Sequence, residues 1–202
     1  KDEDWKFSDL NSILSNNFKN IANNDYIPKE KNLKFIGEFE HNFISLFNGR
    51  LISSDFPFEE KNKISLQKFN YKNEKNLDKK NSLNFLNHAL ASGGFSLEIS
   101  KNYKLKKPLV IYNNFSNSLK ETIVNYKNSL TLNENSELNL INYIDNSSKE
   151  NFMVNSIENI IIKKNSFLNN ILINNSKCNG YFYKYIKCDL EKSSTIENYL
   201  TS

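Results

Sequence analysis

The 202 residues include five glycines, three prolines, two cysteines, two histidines, one methionine and one tryptophan. Each scarcity removes a class of function. Five scattered glycines leave no Gly-x-x-x-x-Gly-Lys loop and no Gly-x-Gly-x-x-Gly turn, so neither common phosphate cradle is present. His41 and His88 have no His-x-x-x-His or Cys-x-x-Cys companion, and no spacing assembles a zinc or di-iron ligand set. There is no Gly-x-Ser-x-Gly elbow and no local Ser/His/Asp grouping. Cys178 and Cys188 make no disulfide framework of the secreted kind. No signal segment is visible, and no apolar run approaches the ~20 residues needed to span a bilayer. Catalytic, cofactor-binding and metal-binding residues are therefore all expected to be none.

Asparagine fills about one position in five, with lysine and isoleucine also heavy, the drift of an A/T-rich coding sequence. Single asparagines accordingly carry no functional weight. Fifteen phenylalanines and ten tyrosines are too many for a chain that buries nothing, so disorder is not expected. The net charge of +4 comes from lysines interleaved with acidic residues, which reads as a solvated surface rather than a nucleic-acid face. Lysines crowd between Glu59 and Asn81, a stretch that reads as a flexible or frayed connector. The chain begins at Lys1 and ends at Ser202 just after a strand-like run. Both ends read as cut, and the expectation is a segment of a longer cytoplasmic protein.

In order, Leu10, Leu14 and Phe18 keep helical spacing with Ile13 beside them, Ser8 can cap that helix, and Trp5 reads as a packing anchor. Phe43 to Ile52 reads as a hairpin, with Asn48-Gly49 suiting a type I′ turn. Asn81 or Ser82 can cap a second helix bearing Leu83, Leu86 and Leu90 at i, i+3, i+7. Gly93-Gly94 then reads as its left-handed stop. Phe95, Leu97 and Ile99 alternate with polar residues as a half-buried strand does, and Lys107-Pro108 interrupts the chain before Leu109-Val110-Ile111-Tyr112. Beyond residue 105 short strands alternate with Asn/Ser turns. Glu134–Asn139 is echoed 30 residues later at Lys164–Asn169, and again 28 residues further at Lys192–Glu197. Regular strand–turn–strand units with no intervening helix predict a β-solenoid. The competing β-sandwich would need more Gly and Pro turns, and only Gly180 follows Gly94. Cys178 and Cys188 read as two buried thiols in a strand stack, and two cysteines alone hold no iron–sulfur cluster. Asp145, Glu158, Asp189 and Glu191 stand singly at unequal positions of the repeat, and read as solvated charges rather than the paired carboxylates of a sugar-cleaving solenoid.

Several strings carry a resemblance. Leu86-Asn87-His88-Ala89-Leu90-Ala91-Ser92-Gly93-Gly94-Phe95-Ser96-Leu97-Glu98-Ile99 resembles the opening of the β-helix in the SufB/SufD family of iron–sulfur assembly scaffolds, on its SufD branch. Leu105 to Ile111 is similar to that family's strand, Leu-x-x-Pro, strand continuation. Trp5-Lys6-Phe7-Ser8-Asp9-Leu10 resembles its N-terminal Trp-Lys-Tyr-Thr-x-Leu opening, with Phe7 in place of the usual Tyr, and Gly93-Gly94 stands where Asp-Gly is commoner. The Asn48-Gly49 hairpin and Ser129–Tyr143 are similar more loosely. The resemblance implies a mainly β protein, a right-handed parallel β-helix (a single-stranded solenoid) over 81–202, preceded by a small helical/mixed N-terminal region with its lysine-rich connector over 1–80. It implies a scaffold of a SufBCD-type complex, no enzyme by itself, with no cofactor of its own in these residues. The iron–sulfur cluster would be assembled transiently by the whole complex. The partners would be a SufB-like scaffold and a SufC-like ATPase, contacted mostly beyond residue 202, with no nucleic acid and no membrane. Alternatives from other classes are a β-solenoid carbohydrate-active enzyme and a plain interaction module.

Overall fold

The computed structural model describes residues 18–22, 36–70, 81–146 and 148–201. The helix expected over Phe7–Phe18, with Trp5 and Ser8, falls almost wholly outside them. Among the described residues the strands are β1 (Asn20–Ile21), β2 (Asn42–Phe47), β3 (Arg50–Asp55), β4 (Ile64–Lys68), β5 (Phe95–Ile99) and β6 (Leu109–Asn114). They continue with β7 (Thr122–Leu132), β8 (Glu137–Ile144), β9 (Phe152–Ile162), β10 (Phe167–Asn174), β11 (Tyr181–Leu190) and β12 (Thr195–Thr201), and one helix, α1 (Ser82–Leu90), precedes β5.

From β5 onward, alternate strands go to opposite sheets. One sheet runs β11-β9-β7-β5-β4 and the other β12-β10-β8-β6-β2-β3, and the neighbours from β5 to β12 are parallel. Parallel neighbours require a crossover, and here the crossover is the strand of the opposite sheet. The result is a mainly β solenoid of about four coils. A sandwich of antiparallel hairpins is thereby set aside.

The sequence echo is the coil register. Leu138 pairs with Leu168, 30 residues on, and Leu168 with Ile196, 28 residues on. Between the sheets Leu97, Leu130 and Ile160 stack in one column and Ile99, Leu132 and Ile162 in the next, all buried. Burial of each such side chain is worth roughly 1.5–3 kcal/mol. At the turns Asn102, Asn135, Asn165 and Ser193 hold φ of 58°, 56°, 57° and 58°. Asparagine tolerates this left-handed region better than most residues with a Cβ, which is why it recurs at the turn. Asn135 Nδ2 donates to Asn102 Oδ1 at 2.7 Å, and Asn165 Nδ2 to Asn135 Oδ1 at 3.0 Å.

Antiparallel strands close the N-terminal side. β2 and β3 form the expected hairpin, with Asn48 and Gly49 at φ 48° and 76°, both positive as a type I′ turn demands. β2 lies parallel to β6, while β4 adds antiparallel to β5. The lysine-rich stretch read as a connector thus contains a paired strand: Ile64 and Leu66 align with Ile99 and Leu97.

Two expectations about α1 need correction. Asn81 caps it, accepting from the Leu83 and Asn84 amides at 3.0 and 3.1 Å. Its buried face, however, is Asn84 and Asn87, whereas Leu83, Leu86 and Leu90 are half-buried and Phe85 is 51 % exposed. The helix lies on the outer surface of the sheet and is fastened to it by side-chain amides. Asn87 Nδ2 donates to the Tyr126 and Asn155 carbonyls at 3.0 and 2.7 Å, and Asn155 Nδ2 returns a bond to the Leu83 carbonyl at 2.9 Å. The glycines are not its left-handed stop, because Ala91 ends the helix in extended backbone. They serve close approach: a Cβ on Gly93 would lie 2.5 Å from the Gly49 carbonyl oxygen, and one on Gly94 would lie 1.8 Å from that of Lys127.

Candidate functional site

The residues singled out in the sequence do not converge. His41 sits outside the β6 surface, its Nε2 2.8 Å from the Tyr112 hydroxyl. Its Nδ1 faces the Phe39 carbonyl at 2.9 Å, so the proton resides on Nδ1 and Tyr112 donates to Nε2. The same hydroxyl accepts from the Ile36 amide at 2.9 Å, which ties residues 36–41 to the solenoid. His88 lies in the last turn of α1, half-buried. Cys178 precedes the Asn179-Gly180 bend and packs partly against the core, while Cys188 is on β11 and exposed. The expectation of two buried thiols is met only in part at Cys178 and fails at Cys188. It stacks in register on Ile160, but β11 is the outermost strand of its sheet among the described residues. Burial by its neighbours, then the charge of Glu158, pushes the thiol pKa up, the opposite of what a reactive thiolate needs. Among the described residues no three His, Cys, Asp or Glu side chains are grouped to hold a metal ion.

Asp145, Asp189 and Glu191 are exposed, as a solvated carboxylate is, but Glu158 is not. It is 2 % exposed and points between the sheets, its Oε2 2.8 Å from Lys184 Nζ. The cause is strand alternation: Val154, Ser156, Glu158, Ile160 and Ile162 share one face of β9, and Phe182, Lys184, Ile186, Cys188 and Leu190 the matching face of β11. A lysine in phase with four apolar residues was the available signal. Desolvating both charges costs several kcal/mol per ion, offset only in part by their attraction. Around the pair the interior turns polar. Tyr126 donates to Asn113 Oδ1 at 3.3 Å, and Asn142 Nδ2 donates to Asn170 Oδ1 at 2.9 Å, continued by Asn170 to Asn198 at 2.9 Å. Burial drives the Tyr126 phenol well above its ordinary pKa, so it stays a neutral donor. These groups wall a cavity of about 360 Å³ whose rim includes Leu200, 74 % exposed.

A second polar hub lies at the closed side. Glu59 Oε1 accepts from Asn42 Nδ2 at 2.8 Å and from the Lys106 and Lys107 amides at 3.0 and 3.2 Å, while Oε2 accepts from the Tyr103 hydroxyl at 2.7 Å. Partial burial pushes its pKa up, but these bonds together outweigh burial and hold the carboxyl below its usual value. Outside, at the coil turns, lysines and carboxylates alternate: Lys101 pairs with Glu134, and Lys163 with Glu191 at 2.9 Å. Glu191 and Glu134 share one surface recess, each carboxylate tied to its own lysine, and Asp189 lies 3.7 Å from Lys187.

The class defined is a parallel β-solenoid with an antiparallel closing layer and a helix docked on one sheet. Comparison with known proteins finds no family model that matches the chain and no curated protein that is similar to it. Among the described residues no helix is long and apolar enough to cross a membrane.

Proposed function

We propose that the chain acts as a non-catalytic scaffold of the SufB/SufD type, supporting iron–sulfur cluster assembly in the cytoplasm beside a SufB-like scaffold and a SufC-like ATPase. One observation carries the reading. The string Leu86–Ile99, which most resembles that family, is the junction where helix gives way to the first full coil, and its Gly93-Gly94 pair passes against the backbone of Gly49 and Lys127. The resemblance implies a β-helix at this point, and a parallel solenoid begins there. The scaffold role fits a molecule that carries ion pairs such as Lys101–Glu134 and Lys163–Glu191 along its coil turns. The cluster is the assembly's cargo, with no residue of this chain assigned to it.

Co-purification tests the proposal. The chain, and a longer form carrying any downstream residues, are each expressed with a SufB-like scaffold and a SufC-like ATPase. Retention of the scaffold by the longer form, with the ATPase held weakly or not at all by residues 1–202, is the expected result. Failure of the longer form to retain either partner would overturn the assignment.

A further inference from the structure

The cavity between the sheets has no part in the scaffold proposal, yet its walls are unusual for a solenoid interior. Elsewhere the inward columns are aliphatic, as in Leu97–Leu130–Ile160. Here one column reads Tyr126–Ser156–Lys184 and its neighbour Asn128–Glu158–Ile186. Protein interiors are close-packed, and a space of about 360 Å³ falls within the ~300–1,000 Å³ typical of small-molecule sites. Glu158 and Lys184 have no other hydrogen-bond partner among the described residues. The ammonium therefore keeps two N–H donors unspent, and the carboxylate keeps unshared lone pairs. The opposite sheet contributes the apolar side chains of Ile144, Leu172 and Leu200 together with the amides of Asn113, Asn142 and Asn174.

We propose that this cavity binds a small zwitterion with an apolar side chain, the chemistry of a free hydrophobic α-amino acid. Its carboxylate takes the free donors of Lys184, its ammonium takes Glu158, and its side chain lies against Ile144, Leu172 and Leu200. Charge selects this class. The ion pair is already neutral, so a simple anion or cation would leave one buried charge uncompensated, whereas a zwitterion adds none. Asn142 and Tyr126 also line the cavity, each with a donor already engaged by a neighbouring asparagine.

Isothermal titration of the intact chain with L-leucine and L-phenylalanine tests the site, with N-acetyl-L-leucine and L-leucinamide as analogues lacking one charge each. Binding with a dissociation constant of about 1 mM or tighter is expected for the amino acids, weakened at least about tenfold for both analogues. Lys184→Met and Glu158→Gln should each cause a loss of similar size, with folding checked by circular dichroism. The analogue arm uses the unaltered protein, so it stands even where a variant fails to fold. Absence of binding, or analogues that bind as tightly as the amino acids, would overturn the proposal and show the cavity to hold water only. The result is independent of partner retention in the scaffold test.

Discussion

Asn165 donates its side-chain amide to Asn135 Oδ1 across 3.0 Å, one coil apart, while both residues hold φ near +57°. The same side chain therefore serves two demands, a left-handed backbone and a rung linking coils. Asn135→Gly keeps the backbone and loses the rung, and about 1 kcal/mol of destabilisation is expected. Asn135→Ala loses both, and about 2–3 kcal/mol is expected. Urea denaturation of the two variants separates the contributions, and equal losses would show that the backbone demand is negligible.

Gly94 cannot accept a side chain. Its φ is +112°, and a Cβ would meet the Lys127 carbonyl oxygen at 1.8 Å. Gly94→Ala should destabilise by more than about 4 kcal/mol and yield insoluble or unfolded protein. Gly37→Ala, with no atom within 4 Å of the new methyl, serves as the control and should leave the melting temperature nearly unchanged.

The helix is held by amides. Asn87→Ala removes the two buried bonds its amide makes to the Tyr126 and Asn155 carbonyls, and about 1–3 kcal/mol of lost stability is expected. Phe85→Ala, at a side chain half in solvent, should change stability by no more than about 0.5 kcal/mol. The reverse order in a denaturation series would mean that the helix docks through its apolar residues after all.

Glu59 couples stability to acid. Its folded pKa lies below the ordinary value, so the ionised carboxylate stabilises the fold above the unfolded pKa of about 4.3. That contribution is lost as pH falls through the lower, folded pKa. Glu59→Gln should cost about 1–2 kcal/mol at pH 7, a figure reduced for the residue's partial exposure. The gap between wild type and variant should shrink toward zero in acid. A gap that persists unchanged at pH 2 would show that the carboxyl's charge is irrelevant to its hydrogen bonds.

Much of the coil architecture could be read in advance because it obeys a local rule. The 30- and 28-residue echo is the pairing of Leu138, Leu168 and Ile196 seen edge-on, and the Asn48-Gly49 turn follows from backbone preference alone. The misses have a shared physical origin. Asn84 and Asn87 look like compositional background, yet Asn87 donates to carbonyls 39 and 68 residues away and Asn84 accepts from the Tyr183 hydroxyl 99 residues away, demands no local pattern displays. β4 was hidden by its lysines because its partner, β5, lies beyond α1. Glu158 was misplaced for another reason: its neighbours' alternation pointed inward, but a carboxylate there needed a distant lysine to be credible, and Lys184 is 26 positions away.

The parallel register makes this molecule a ruler with fixed graduations. Each coil places its strands about 4.8 Å above the last and repeats a left-handed turn residue at the same edge, at Asn102, Asn135, Asn165 and Ser193. Duplicating or deleting one unit of about 30 residues would lengthen or shorten the rod by one graduation without re-registering any strand. Rod length can therefore drift between related chains far more freely than the closing layer at β3 and β4, where Gly49, Gly93 and Gly94 leave no room for change.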